Sequence, residues 1–152
     1  MPRTLLEAVK DVLAEPDVIT LTLTKYDPVT GEPTTKEDME ITAYPLTYAE
    51  FLEGYLLMPE EVKWTEEEML RYQETGDLPD KKLSRGGEVA AFKHSMFILG
   101  AALKKALPDE AADIIKSIEA DVRIFFAFKP LADTVWLNSL PIDHLVKKKP
   151  LA

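Results

Sequence analysis

The sequence predicts an α+β fold: an N-terminal helix, an antiparallel β-hairpin, then a mostly helical remainder containing an antiparallel helical hairpin. Three observations predict it. Two stretches within 18–44 alternate apolar and polar residues on either side of a turn-rich segment. Thr-x-x-Glu patterns stand before apolar runs at Thr4, Thr47 and Thr65. From residue 88 onward, apolar residues recur every three or four positions.

Thr4 and Glu7 read as a capping box, in which each side chain satisfies a free backbone N–H of the other. They precede Leu5, Leu6, Val9, Val12 and Leu13, which gives a helix of about three turns ending near Glu15 and Pro16. In the hairpin, Ile19, Leu21 and Leu23 alternate with Thr20, Thr22 and Thr24; Met39, Ile41 and Ala43 alternate with Glu40, Thr42 and Tyr44. The connection is Asp27-Pro28-Val29-Thr30-Gly31-Glu32-Pro33. Pro28 presets φ, Asp27 can bond the turn backbone, and Gly31 can take positive φ.

The helical region spans 47–140. Thr47 and Glu50 form a second capping box, with Leu46 and Phe51 at hydrophobic-staple spacing. The apolar face runs Tyr48, Phe51, Leu52, Tyr55 and Leu56, and Pro59 stops the helix. Thr65 and Glu68 form a third box, stapled by Trp64 and Met69, and this helix ends at Gly76. Residues 77–87, closing with Ser84-Arg85-Gly86-Gly87, read as a loop and hinge.

Residues 88–107 carry a near-heptad stripe of Val89, Phe92, Met96, Leu99, Leu103 and Leu107. Pro108 opens the next helix, whose stripe is Ala111, Ile115, Ile118, Val122 and Phe125. The short connection predicts an antiparallel pair. Pro130 ends or kinks the second helix, and a last segment, 131–140, precedes Pro141. Residues 121–128 also alternate as a strand would, but the continuing helical period favours helix.

At 152 residues with 46% apolar content, the chain suits one domain, residues 1–146, with a basic tail at 147–152 carrying Lys147, Lys148 and Lys149. It has no cysteine, which rules out disulfide and thiol chemistry. The start, Met1-Pro2-Arg3-Thr4, lacks a signal-peptide pattern, and no apolar run reaches membrane-spanning length. The expectation is a soluble cytoplasmic product. A net charge of −9 argues against nucleic acid as a partner. The consecutive Glu66, Glu67 and Glu68 read as a solvated helix start or as a face for a basic partner.

Chemistry is sparse. His94 and His144 lie in unlike contexts, and neither has a carboxylate or second histidine at metal-ligand spacing. His94 falls off the apolar stripe and is expected to be exposed. Ser84-Arg85-Gly86-Gly87 lacks the spacing and lysine of a phosphate loop. No catalytic residue, cofactor, metal or small-molecule substrate is indicated. The functional signal is the apolar excess of 124–137. A helix apolar nearly all round is covered on two sides, either by the hairpin or by another chain. In the second case Phe126, Phe128, Trp136 and Leu137 form the partner-binding set, for another protein or a second copy.

Ile41-Thr42-Ala43-Tyr44-Pro45-Leu46-Thr47-Tyr48-Ala49-Glu50-Phe51 leads from the second strand through a Pro-Leu-Thr step into a helix. This order of elements over the first 57 residues, with an acidic middle and a helical remainder, resembles the tail assembly chaperones of long-tailed bacteriophages. The resemblance implies a non-enzymatic protein, working in the host cytoplasm, that coats the hydrophobic tape-measure protein while the tail tube polymerises. Two alternatives remain: a virion structural or adaptor subunit forming a homo-oligomer, and an acidic inhibitor of a nucleic-acid enzyme.

Overall fold

Thr4, Thr47, Thr65 and Ser84 each begin a helix, and these four starts set the frame of the molecule. The computed structural model describes residues 3–13 and 15–139. His144, Pro141 and the 147–152 tail lie outside the described residues.

The architecture is α+β. Helix α1 (Leu5–Val12) precedes strands β1 (Asp17–Tyr26) and β2 (Pro33–Ala43), which form a two-stranded antiparallel sheet. Helices α2 (Tyr48–Leu57) and α3 (Glu66–Thr75) follow, with a single 3-10 turn at Glu60–Val62 between them. The remainder is α4 (Arg85–Ala106), α5 (Ala111–Ala120) and α6 (Val122–Asn138).

The hairpin register pairs Ile19 with Ile41 and Leu21 with Met39. One face therefore carries the aliphatics, while Thr22 and Asp38 bond across the other at 2.8 Å. Asp27 builds the turn: its carboxylate accepts from the Val29 and Thr30 amides at 2.7 and 3.1 Å. Gly31 takes φ of 74°, which a side chain would oppose.

The capping boxes at Thr47 and Thr65 are complete in both directions. At Thr4 only half the box forms: the hydroxyl accepts from the Glu7 amide, but Glu7 bonds that hydroxyl instead of the Thr4 amide. The segment 84–87 is not loop. Ser84 caps α4 by accepting from the Gly87 amide at 3.1 Å, so the helix starts four residues before the apolar stripe does. Glu61 in turn accepts from the Ser84 amide and hydroxyl at 3.1 and 2.9 Å. It lies so close to Gly87 that an added Cβ there would collide with its carboxylate.

Helix α4 is the central element, packed against α2, α5, α6 and the hairpin. Its buried face is Ser95, Ile98, Leu99, Ala102 and Leu103, rotated from the predicted stripe so that Val89 and Phe92 are exposed. Ile98, Leu99, Leu103, Ile118, Leu131 and Val135 are fully enclosed and form the core. Burial of such side chains stabilises by about 1.5–3 kcal/mol each.

The predicted helical hairpin is present between α4 and α5, but its second limb is divided. Asp121 is extended, and its carboxylate accepts from the Arg123 amide at 2.9 Å, starting α6 afresh. Residues 122–128 are helical, not strand. Pro130 sits inside α6 and does not end it. The carbonyl it leaves without a helical partner is that of Phe126, a residue exposed like Pro130 itself.

The end of α6 clamps the base of the hairpin. Asn138 donates to the Asp17 carboxylate at 2.6 Å, and Ser139 accepts from the Leu46 amide at 2.9 Å. Lys105 of α4 donates to the Pro45 carbonyl at 3.1 Å and pairs with Glu50. Burial pushes the Glu50 carboxyl up, but the bonds from Lys105 and Thr47 outweigh it and hold it below its ordinary range.

Candidate protein-binding surface

Helix α1 has one apolar side and one polar side. Leu5, Val9 and Val12 follow the helical repeat, with Leu6 and Leu13 beside them; Glu7, Lys10 and Asp11 take the opposite face. Arg3 pairs with Asp11 and donates to the Glu7 carbonyl, which fixes the polar side. No residue of α1 is buried. Leu5 is 81% exposed and Val9, the most covered of the five, still 42%. An isolated helix this short is marginal in water, and packing of an apolar face is the usual source of helix stability.

A second open apolar surface is a groove of about 420 Å³ between the hairpin and α5–α6. Leu23, Met39 and Ile41 form one wall, and Ile114, Ile124 and Phe128 the other. Glu40 and Glu110 stand on it as well. The groove exists because α6 lies mainly over β1 and leaves the outer part of β2 less covered. Leu21 on β1 is buried, whereas Met39, its cross-strand partner on β2, is half exposed.

Two smaller apolar patches are also exposed. On α2, Tyr48, Leu52 and Leu56 point outward while Phe51 and Gly54 face the core. Gly54 permits this close approach: a Cβ there meets Trp136 at 3.0 Å and Ile98 at 3.1 Å. On the other side Phe92 packs on Phe125 at 5.0 Å between centroids, Phe125 on Phe126 at 5.5 Å, and Phe126 is 60% exposed.

The four residues proposed from sequence as one partner-binding set are not brought together on a surface. Phe126 alone is outward, with Phe92 and Val122 as further exposed apolar residues of α4 and α6. Phe128 is buried in the main core beside the groove. Trp136 and Leu137 pack in a second cluster around Phe51, with Tyr55, Trp64, Met69 and Tyr72. The hairpin and α2 supply the second covering that α6 needs, so most of its apolar excess is internal.

His94 is also inside, contrary to the expectation of exposure. Its ring meets the edge of Trp136 at 4.4 Å between centroids, and its Nε2 is buried without a hydrogen-bond partner. Burial pushes its pKa down to about 4, against the opposing pull of Asp133; Lys129 adds to the lowering. His94 is therefore neutral at pH 7. It missed the α4 stripe in the sequence because α2 and α6 cover a different side of that helix.

Among the described residues, no group of three or more His, Asp or Glu could hold a metal ion, and no helix is long and apolar enough to cross a membrane. A polar cleft lined by Glu68, Arg71, Asp77 and Asp80 carries no nucleophile with an adjacent base. The exposed stripe of α1 was readable as amphipathic, but an amphipathic stripe has the same spacing whether its own core or another chain covers it. Compared with known proteins, the chain matches no family model, no curated protein and no solved structure.

Proposed function

We propose that the chain is a non-enzymatic protein-binding or assembly protein and that α1 is its contact element. The observation that carries this reading is the α1 stripe: four large aliphatics of the helix, continued by Leu13 at its C-cap, none of them buried. Exposed apolar patches on a soluble fold mark interaction sites. An amphipathic helix docks by its apolar face, with anchors at the spacing Leu5, Val9 and Val12 have. The resemblance to tail assembly chaperones supports the more specific form, in which the partner is a long, apolar, helix-forming polypeptide of the tape-measure kind, bound in the host cytoplasm. The groove supports a second reading, a subunit of a homo-oligomer, because it gives the chain a receptor surface of its own.

Co-expression with a long, apolar, helix-forming polypeptide tests the first reading. The soluble yield of that polypeptide rises when the full chain is present. It falls back when Leu5→Glu and Val9→Glu are introduced together. No rise with the unaltered chain removes the chaperone reading.

A further inference from the structure

We propose that α1 of one copy seats in the groove between the hairpin and α5–α6 of a second copy, in a reciprocal exchange of N-terminal arms. This rests on the reading of α1 as a contact element and names its occupant. Three features of the molecule carry it.

The first is that both halves of an apolar contact stand open on the same chain. The stripe of Leu5, Val9 and Val12 is uncovered, and so is the groove floored by Leu23, Met39 and Ile114. The 8 residues of α1 make a rod about 12 Å long. Each large aliphatic removes on the order of 100 Å² from water when buried. Two exchanged arms with their two grooves therefore bury on the order of 1,000 Å² or more, the size a specific interface requires.

The second is charge. Lys10 flanks the stripe one turn after Leu6, and the groove presents Glu40 and Glu110. A basic flank laid against an acidic rim fixes the direction in which the arm lies.

The third is reach. Four peptide links join Leu13 to Asp17, a span of about 14 Å at full extension. The way from Asp17 along β1 to Leu21, where the groove begins, takes the same number of residues. The base of the hairpin between them is closed by Ile41, Ala43 and Leu46 packed in the core. Seating α1 in its own groove needs a fully stretched linker through Pro16, whereas a second copy brings its groove to the arm. A two-fold exchange also leaves no open end, which keeps the assembly a closed dimer.

The chain has no cysteine, so a pair of introduced ones reports the contact cleanly. Full-length Val9→Cys and Ile114→Cys proteins are mixed under mild oxidation, and the unaltered protein is sized by light scattering over a concentration series. The exchange gives a dimer in solution and a disulfide between the two different proteins. Leu5→Glu with Val9→Glu shifts that dimer to monomer, and Lys10→Glu weakens it several-fold, more at low salt than at high. If Ile114→Cys does not fold, Met39→Cys at the exposed mouth of the groove replaces it. A monomer at every concentration overturns the exchange. So does a dimer indifferent to the arm substitutions, or a Val9→Cys/Ile114→Cys double variant that closes within one chain. A monomer that still holds the apolar polypeptide in solution overturns the exchange alone; a monomer that does not overturns the protein-binding reading as well.

Discussion

Trp136 lies flat on Phe51, their ring centroids 4.7 Å apart and their planes 12° from parallel. This stack joins the last helix to the second and closes the smaller of the two apolar clusters. His94 meets the edge of the same indole, and Gly54 comes within van der Waals reach of it. Trp136 thus ties α2, α4 and α6 together, and the ring face it lays on Phe51 is unavailable to a partner.

Trp136→Ala should therefore lower stability by about 2–3 kcal/mol, less than the cost of deleting a fully buried aromatic because Trp136 is partly buried. Phe126→Ala, on the exposed face, should cost under about 0.5 kcal/mol. Urea melts of both variants measure this. Equal losses place Phe126 in the interior and contradict the packing described.

Gly54 and Gly86 both sit in helices, yet alanine should act on them with opposite signs. At Gly54 the added methyl is squeezed against Trp136 and Ile98, so Gly54→Ala should destabilise by about 1–3 kcal/mol despite the better helix propensity. At Gly86 nothing lies within 4 Å of the new Cβ, so Gly86→Ala should stabilise by up to about 1 kcal/mol. Melting temperatures of the two variants, moving in opposite directions, verify the approach of α2 to α6.

The pH dependence of stability should have two stages. His94 has a folded pKa near 4 against an ordinary value of 6.5. The unfolded chain therefore binds more protons than the folded one between these values, and stability falls as pH drops through that window, by on the order of 3 kcal/mol in all. Glu50 and Glu68 are held below their ordinary range, Glu50 as described and Glu68 chiefly by the Thr65 amide and Lys81. Their contribution is present above about pH 4.5 and is lost below it. Denaturant midpoints from pH 7 to 3 show both stages. His94→Phe should flatten the upper one, and an unchanged slope between pH 5 and 6.5 places the histidine in water.

Much of this fold was legible because its signals are local. The Thr47 and Thr65 boxes, the Asp27 turn and the Gly76 stop each depend on residues within a few positions of one another, and each stands where expected. The misreadings came from longer-range causes. The break at Asp121 was hidden because the apolar period runs through it, while the cap that decides it is one carboxylate on one amide. The faces of α4 and α2 were misplaced because three neighbours, not one, choose which side is buried. The same cause moved His94, Phe128 and Trp136 inward. The α1 stripe was visible from the start, but only the arrangement of the other elements shows that none of the described residues buries it.

The proposed cover of the α1 stripe is another protein chain. A polarity-sensitive fluorophore on Val9→Cys, the only thiol in that chain, reports this directly. The labelled protein is held dilute and titrated separately with unlabelled copies and with an apolar, helix-forming polypeptide. A blue shift with either one is the predicted result, and the one that produces it identifies the occupant. An emission maximum that stays at its water value through both titrations contradicts the account.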